Sequence, residues 1–452
     1  MSKLRAVLTS AGAYRRETAN ISWLVGDRVV RVFGTFLIGL CIARLLGPVD
    51  FGGYSYALTL IALLTLIVSL GLNGTVVKYV LEQPDDSHHI LGTAFLLQAT
   101  AAAVVVSGLA ICAFWPGARG DDYAHLALIM ALGLLFKPSE PIRYWFESQV
   151  SAKYAVLADN IAFAVGATLK ISCLLFWRSL EALAWATAAE IALGGLFLVV
   201  IYRWRLPTQR RWAASRSVAG MLVKATWPLL LAGLSIALYT RIDQVILMRL
   251  SGPAETGVFS AAARISEMAY VLPTVIASSF FPRWQLLLRE SGERHAAAVQ
   301  AMMAALVAVC VVASLAMLWA APAVVRLLYG EAYAAAAPVL AIHIWTCAFV
   351  CLGVLGNQWY LSHDLQDRTL ICTVLGASAA VGLNFVLVPR FGAQGAAAAS
   401  VAAQAISAFL ADAISTRSRP LFWIKARAII SPLIWVGTGV GLTRSLVQSG
   451  RR

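Results

Sequence analysis

Charge is scarce in this sequence. Asp, Glu, Lys and Arg make up 13% of its 452 residues, against roughly 25% in soluble domains. With 60% hydrophobic residues and a mean hydropathy of +0.77, that shortage excludes a water-soluble globular chain. Acids are fewer than bases, 22 against 36, giving a formal charge of +14. Such an excess suits nucleic acid when it gathers on one soluble face. Here the basic residues fall in loops between apolar runs, so the expected partner is the lipid bilayer and not nucleic acid. Cysteine is rare as well: Cys41, Cys112, Cys173, Cys310, Cys347, Cys351 and Cys372 all lie within apolar runs, and no disulfide framework is visible. Large loops are also lacking. The longest expected on the outer side, around Pro116 to Tyr123, is too small for the acids or histidines that a membrane glycosyltransferase or polymerase would hold there.

Long apolar runs take their place. They fall near 21–45, 52–81, 90–115, 122–146, 153–177 and 181–202, then near 221–249, 255–282, 297–320, 333–361, 368–388 and 394–416. Each has about the 20 residues that an α-helix needs to cross a hydrocarbon core about 30 Å thick. The expected fold is an all-α polytopic membrane protein, with two pseudo-symmetric six-helix lobes around a central cleft and a C-terminal apolar segment. Residues 1–19 form a basic N-terminus, 20–202 the first lobe, 203–220 a basic linker, 221–416 the second lobe and 417–452 a basic extension. In that extension Ala428 to Thr443 is mainly apolar; a re-entrant or interfacial segment and a thirteenth crossing both fit it. Loops on one side carry single basic residues, Arg44, Arg119, Arg178, Arg249, Arg326 and Arg390, while the other side holds clusters such as Arg15-Arg16, Arg203 to Arg211 and Arg417 to Arg427. The positive-inside rule then places the N-terminus in the cytoplasm.

An internal repeat supports the two-lobe division. Arg44-Leu45-Leu46-Gly47-Pro48, followed by Gly52 and Ser55, returns 205 residues later as Arg249-Leu250-Ser251-Gly252-Pro253, followed by Gly257 and Ser260. Asp50 and Glu255 share the same frame. Gly47-Pro48 and Gly252-Pro253 are the expected hinge corners. Six spans separate the copies, so both face the same way, as in parallel repeats about an axis along the membrane normal.

The stretch Ala43-Arg44-Leu45-Leu46-Gly47-Pro48, with Asp50-Phe51-Gly52 and Tyr54-Ser55, resembles the start of the polysaccharide and O-antigen flippases of the multidrug/oligosaccharidyl-lipid/polysaccharide exporter superfamily. Arg241-Ile242-Asp243-Gln244, Arg264-Ile265-Ser266-Glu267 and the run from Asn384 to Ala397 resemble that family's second lobe. The resemblance covers about residues 20 to 416. It implies two six-helix bundles, no enzymatic activity and no cofactor. It further implies transfer of a polyprenyl-diphosphate-linked glycan from the inner to the outer leaflet of a bacterial cytoplasmic membrane. Protons or sodium ions and polysaccharide assembly proteins are the other expected partners. A drug exporter of the same superfamily is the competing reading, kept open by the embedded acids.

Those embedded charges nominate a site. A diphosphate cannot cross hydrocarbon unaided, because one unpaired ion there costs tens of kcal/mol by Born estimates. Arginine suits it, offering paired donors and never deprotonating. On the first span Asn20, Asp27, Arg31 and Thr35 form a polar face with Arg28 beside it, and Arg264 lies similarly deep in the eighth span. Arg28, Arg31, Arg264 and Arg241 are therefore the expected diphosphate ligands. Asp27, Glu267, Asp159, Glu190 and Asp243 are the expected coupling or pairing acids, Asp27 one turn from Arg31 and Glu267 three residues after Arg264. In the competing view these pairs merely knit the helices together. Arg241 and Asp243 point about 200° apart on a helix, so they cannot line one surface. For Lys137, Lys170 and Asp412, snorkelling to headgroups is an equal alternative to an embedded role. His343, Cys347 and Cys351 recur at spacings of four like soft-metal ligands, but a fourth ligand is missing and buried cysteine ordinarily packs, so no metal is expected.

Overall fold

The computed structural model describes residues 2–114, 122–205 and 211–430, and of residues 2–30, 122, 282 and 366 the backbone alone. The expected loop around Pro116 and the apolar segment after Ile430 lie outside the described residues. In chain order the helices are α1 (Ser2–Ser69), α2 (Asn73–Glu82), α3 (Ser87–Phe114), α4 (Asp122–Leu132), α5 (Glu140–Ser148), α6 (Lys153–Phe176), α7 (Leu180–Arg205), α8 (Arg216–Ser251), α9 (Pro253–Met268), α10 (Val271–Glu290), α11 (Gly292–Tyr329), α12 (Ala336–His343), α13 (Thr346–Ser362), α14 (Gln366–Ala408) and α15 (Arg419–Ile430). The described residues contain no strand.

Eight stretches of the described residues are long and apolar enough to cross a membrane. Two of them, the 52 residues Arg31–Glu82 and the 47 residues Asp367–Ala413, bend at Gly47 and at Gly392. Each is long enough for two crossings at 1.5 Å per residue. The spans expected near 122–146 and 255–282 are helical but interrupted. The first passes through a 3-10 segment, Gly133–Ser139, containing Pro138; the second breaks between α9 and α10.

The glycine corners repeat in geometry as well as in sequence. Gly47 has φ 76° and ψ 175°, and Gly252 has φ 86° and ψ −177°, a region open essentially to glycine alone. Proline follows each, its fixed φ starting the next helix and its missing N–H costing nothing there.

The chain divides into two compact units between Leu234 and Ser235, inside α8 and not at the linker. The first half of α8 is held by the first unit. Ala213 N–H donates to His88 O and Ser215 N–H to Thr93 Oγ1, and Leu222 is buried with Leu72, Val76, Ile90 and Tyr144. Elsewhere in that unit, the Tyr54 hydroxyl meets Thr187 Oγ1 at 3.1 Å, pinning α1 beyond its corner to α7. The core of the second unit gathers Met303, Cys310, Cys351, Leu355 and Trp359 with Leu421 and Ala428 of α15.

Candidate functional site

In the first unit the site is built on Asp159 of α6. Its side chain is 9% exposed and accepts from both Nη atoms of Arg143, at 2.5 and 2.7 Å. Arg31 of α1 reaches the same Oδ2 at 3.0 Å. Two guanidiniums thus share one carboxylate, beside the pairs Lys137–Glu140 at 2.8 Å and Lys170–Glu190 at 2.5 Å, with Glu147 within electrostatic range of Arg143. These groups surround a cavity of about 200 Å³ walled in part by Arg31, Lys137, Glu140, Arg143, Asp159 and Glu190. The backbone makes room for it. A Cβ on Gly166 of α6 would lie 2.6 Å from Glu190 Oε2, so only glycine lets the α7 carboxylate pass to Lys170.

Arg31, Asp159 and Glu190 thus share one cavity, as an embedded role requires. The partner of Arg31 shown here is Asp159. Asp27 and Arg28 sit on α1, but their side chains lie outside the described residues. Of the two alternatives for Lys137 and Lys170, the structure shows each meeting a carboxylate among the helices. Arg143 is not among the expected ligands. Its spacing of three from Glu140 puts those two side chains on neighbouring positions of one helical face.

In the second unit the expected residues form separate clusters. Arg241 of α8 grips Glu267 of α9 with two bonds of 3.2 Å. That planar fork reaches both carboxylate oxygens from the neighbouring helix. Arg264 is half-buried, within electrostatic range of Tyr329. Asp243 turns away from Arg241, as their angular separation demands. It is 2% exposed and accepts from Asn384 Nδ2 at 2.6 Å and from Ser400 Oγ at 2.5 Å. The Asn384 Oδ1 beside it is buried without a hydrogen-bond partner.

Two further expectations change. Asp412 does not snorkel: it is 1% exposed, pairs with Lys425 of α15 at 2.7 Å and accepts from the Tyr360 hydroxyl. His343 is not with the cysteines. Its Nδ1 meets Ser266 Oγ at 2.6 Å and its ring abuts Phe259.

A family model described as polysaccharide biosynthesis protein matches residues 18–287 of the chain. The chain belongs to this family. Among curated relatives of this family member, the succinoglycan biosynthesis transport protein ExoT of Rhizobium meliloti is 25% identical over 341 residues, covering 72% of this chain and 65% of ExoT. The chain therefore spans less than two thirds of that relative. The capsular polysaccharide biosynthesis protein CapF of Staphylococcus aureus is 21% identical over 401 residues, covering 84% of this chain and 94% of CapF. Two solved structures share the fold. The lipid II flippase MurJ in an inward closed conformation aligns with TM-score 0.69 at 12% identity, over 91% of this chain and 92% of its own. An inward-facing multidrug resistance transporter of the MATE family aligns with TM-score 0.67 at 15% identity, over 87% and 94%. The chain is thus a multi-pass membrane protein of the polysaccharide biosynthesis protein family.

Proposed function

We propose that this family member carries a polyprenyl-diphosphate-linked oligosaccharide from the inner to the outer leaflet of a bacterial cytoplasmic membrane, its N-terminus in the cytoplasm. The observation that carries the reading is the convergence of Arg31 and Arg143 on Asp159 at a cavity of about 200 Å³ among apolar helices. A diphosphate arriving there meets two guanidiniums already held in place, so little reorganisation is needed. Arg28, Arg31, Arg264 and Arg241 are its ligands. The site opens to one leaflet and then the other as the helices flex at Gly47-Pro48 and Gly252-Pro253. Asp159, Glu190 and Asp243 are the coupling acids for protons or sodium ions, and assembly proteins take the glycan on release.

The test is leaflet transfer of a labelled polyprenyl-diphosphate oligosaccharide in vesicles holding the purified chain. A hydrogen bond to a charged group contributes about 1.5–3 kcal/mol, so Arg31→Ala combined with Arg264→Ala should slow transfer by well over ten-fold. A folded double variant that transfers glycan at the parent rate sinks the proposal. The drug-exporter reading needs a carboxylate available to an organic cation. Against it, Arg31 and Arg143 both line the first unit's cavity, where guanidiniums repel an organic cation. Gradient-driven uptake of organic cations by the same vesicles would revive it.

A further inference from the structure

Cys310 of α11 points at the two cysteines that α13 presents one turn apart. Its Sγ is 3.1 Å from Cys347 Sγ and 3.4 Å from Cys351 Sγ, and all three sulfurs lie within 4.8 Å of one another. The three residues are 4%, 4% and 0% exposed and sit in a core with Leu306, Val307, Ala348 and Leu352. Nothing in the proposed transport uses them.

We propose that this trio is a binding site for a trivalent thiophilic metalloid of the arsenite class. Geometry admits a central atom. A thiolate–zinc bond of about 2.3 Å sets the scale, and three sulfurs around such a centre stand no more than about 4 Å apart, close to the spacing already present. Charge selects the valence. Thiols bind ions as thiolates, so three of them around monovalent copper would carry two surplus negative charges and around zinc one. Burying such a charge in an apolar core without a partner is costly. A trivalent centre leaves none. Arsenous acid, As(OH)3, is itself neutral and exchanges its three hydroxyls for three thiols: three As–O bonds break, three As–S bonds form, and each thiol proton leaves with a hydroxide as water. Arsenic stays trivalent, no electron moves, and the product is neutral. The soft sulfur donors match the soft centre. Binding joins α11 to α13.

The experiment adds sodium arsenite to the full-length chain in detergent under reducing conditions, and reads arsenic coordination by X-ray absorption and affinity by equilibrium dialysis. One arsenic per chain with three sulfur neighbours is expected. Cys310→Ala, Cys347→Ala and Cys351→Ala should each cut the sulfur count to two and weaken binding at least about ten-fold, the scale on which a single lost partner acts at such sites. Cys41→Ala and Cys112→Ala, at exposed positions, should change neither readout. The measurement on the parent chain decides the matter even if a core variant misfolds. Two-sulfur coordination in the parent, arsenic lost on removing Cys41 or Cys112, or zinc bound more tightly than arsenite would each overturn the assignment.

Discussion

Single side chains carry most of the first unit's chemistry, and Asp159 carries the most. Replacing it by Asn removes the one charge that reconciles Arg31 with Arg143. Breaking a buried pair costs about 3–5 kcal/mol, and both arginines are about one third exposed, so water screening brings the expected loss nearer 1–3 kcal/mol. Thermal unfolding in detergent checks it. Lys425 and Asp412, at 2% and 1% exposure, receive no such relief: Lys425→Met should cost about 3–5 kcal/mol, and Lys425→Met with Asp412→Asn should recover most of that by removing the orphaned charge while leaving Tyr360 an acceptor. Asp243→Asn tests coupling, with vesicle transport expected to lose its dependence on a sodium or proton gradient. At this scale the sequence was partly legible. Intramembrane arginines and acids stand out because hydrocarbon forbids them. Their partners did not, because Asp159 and Arg31 are joined only through the folding of α1 onto α6.

Helices meet at glycine corners whose form follows from short local sequence, and so the corners were readable in advance. At Gly47 and Gly252 no heavy atom lies within 4 Å of where a Cβ would stand. Substitution there is therefore sterically free but torsionally strained. Gly47→Ala or Gly252→Ala should lower stability by about 1–3 kcal/mol, whereas Pro48→Ala, whose helix-starting φ other residues adopt, should cost less; denaturation of the three variants side by side gives the ranking. A third bend, at Gly392, is held differently: the Ala393 N–H donates to Glu255 Oε2 at 2.7 Å. Glu255 was visible only as the counterpart of Asp50. Its capping role depends on α9 lying beside α14, which no spacing within one segment encodes.

The whole molecule is a family member whose class was set by composition, since few charges and long apolar runs permit little but membrane helices. The division of the chain was less evident. A basic linker resembles a boundary, yet Ala213, Ser215 and Leu222 tie the linker's end and the start of α8 to the first unit. The last described helix was also underestimated. Leu421, Ile424, Lys425 and Ala428 recur on one face of α15 and are all buried, while its basic content suggested a loop. Ending the chain at Thr416 strips that face from the core, where each fully buried Leu or Ile contributes about 1.5–3 kcal/mol; limited proteolysis should then cut the second unit and spare the first. The same arrangement sets an order on biosynthesis. Every described element that α15 packs against leaves the ribosome before α15 does, so the nascent second lobe waits with Asp412 lacking its counter-ion until the residues around Lys425 emerge. Quality-control proteases that survey the bilayer have that interval in which to tell an unfinished copy from a finished one.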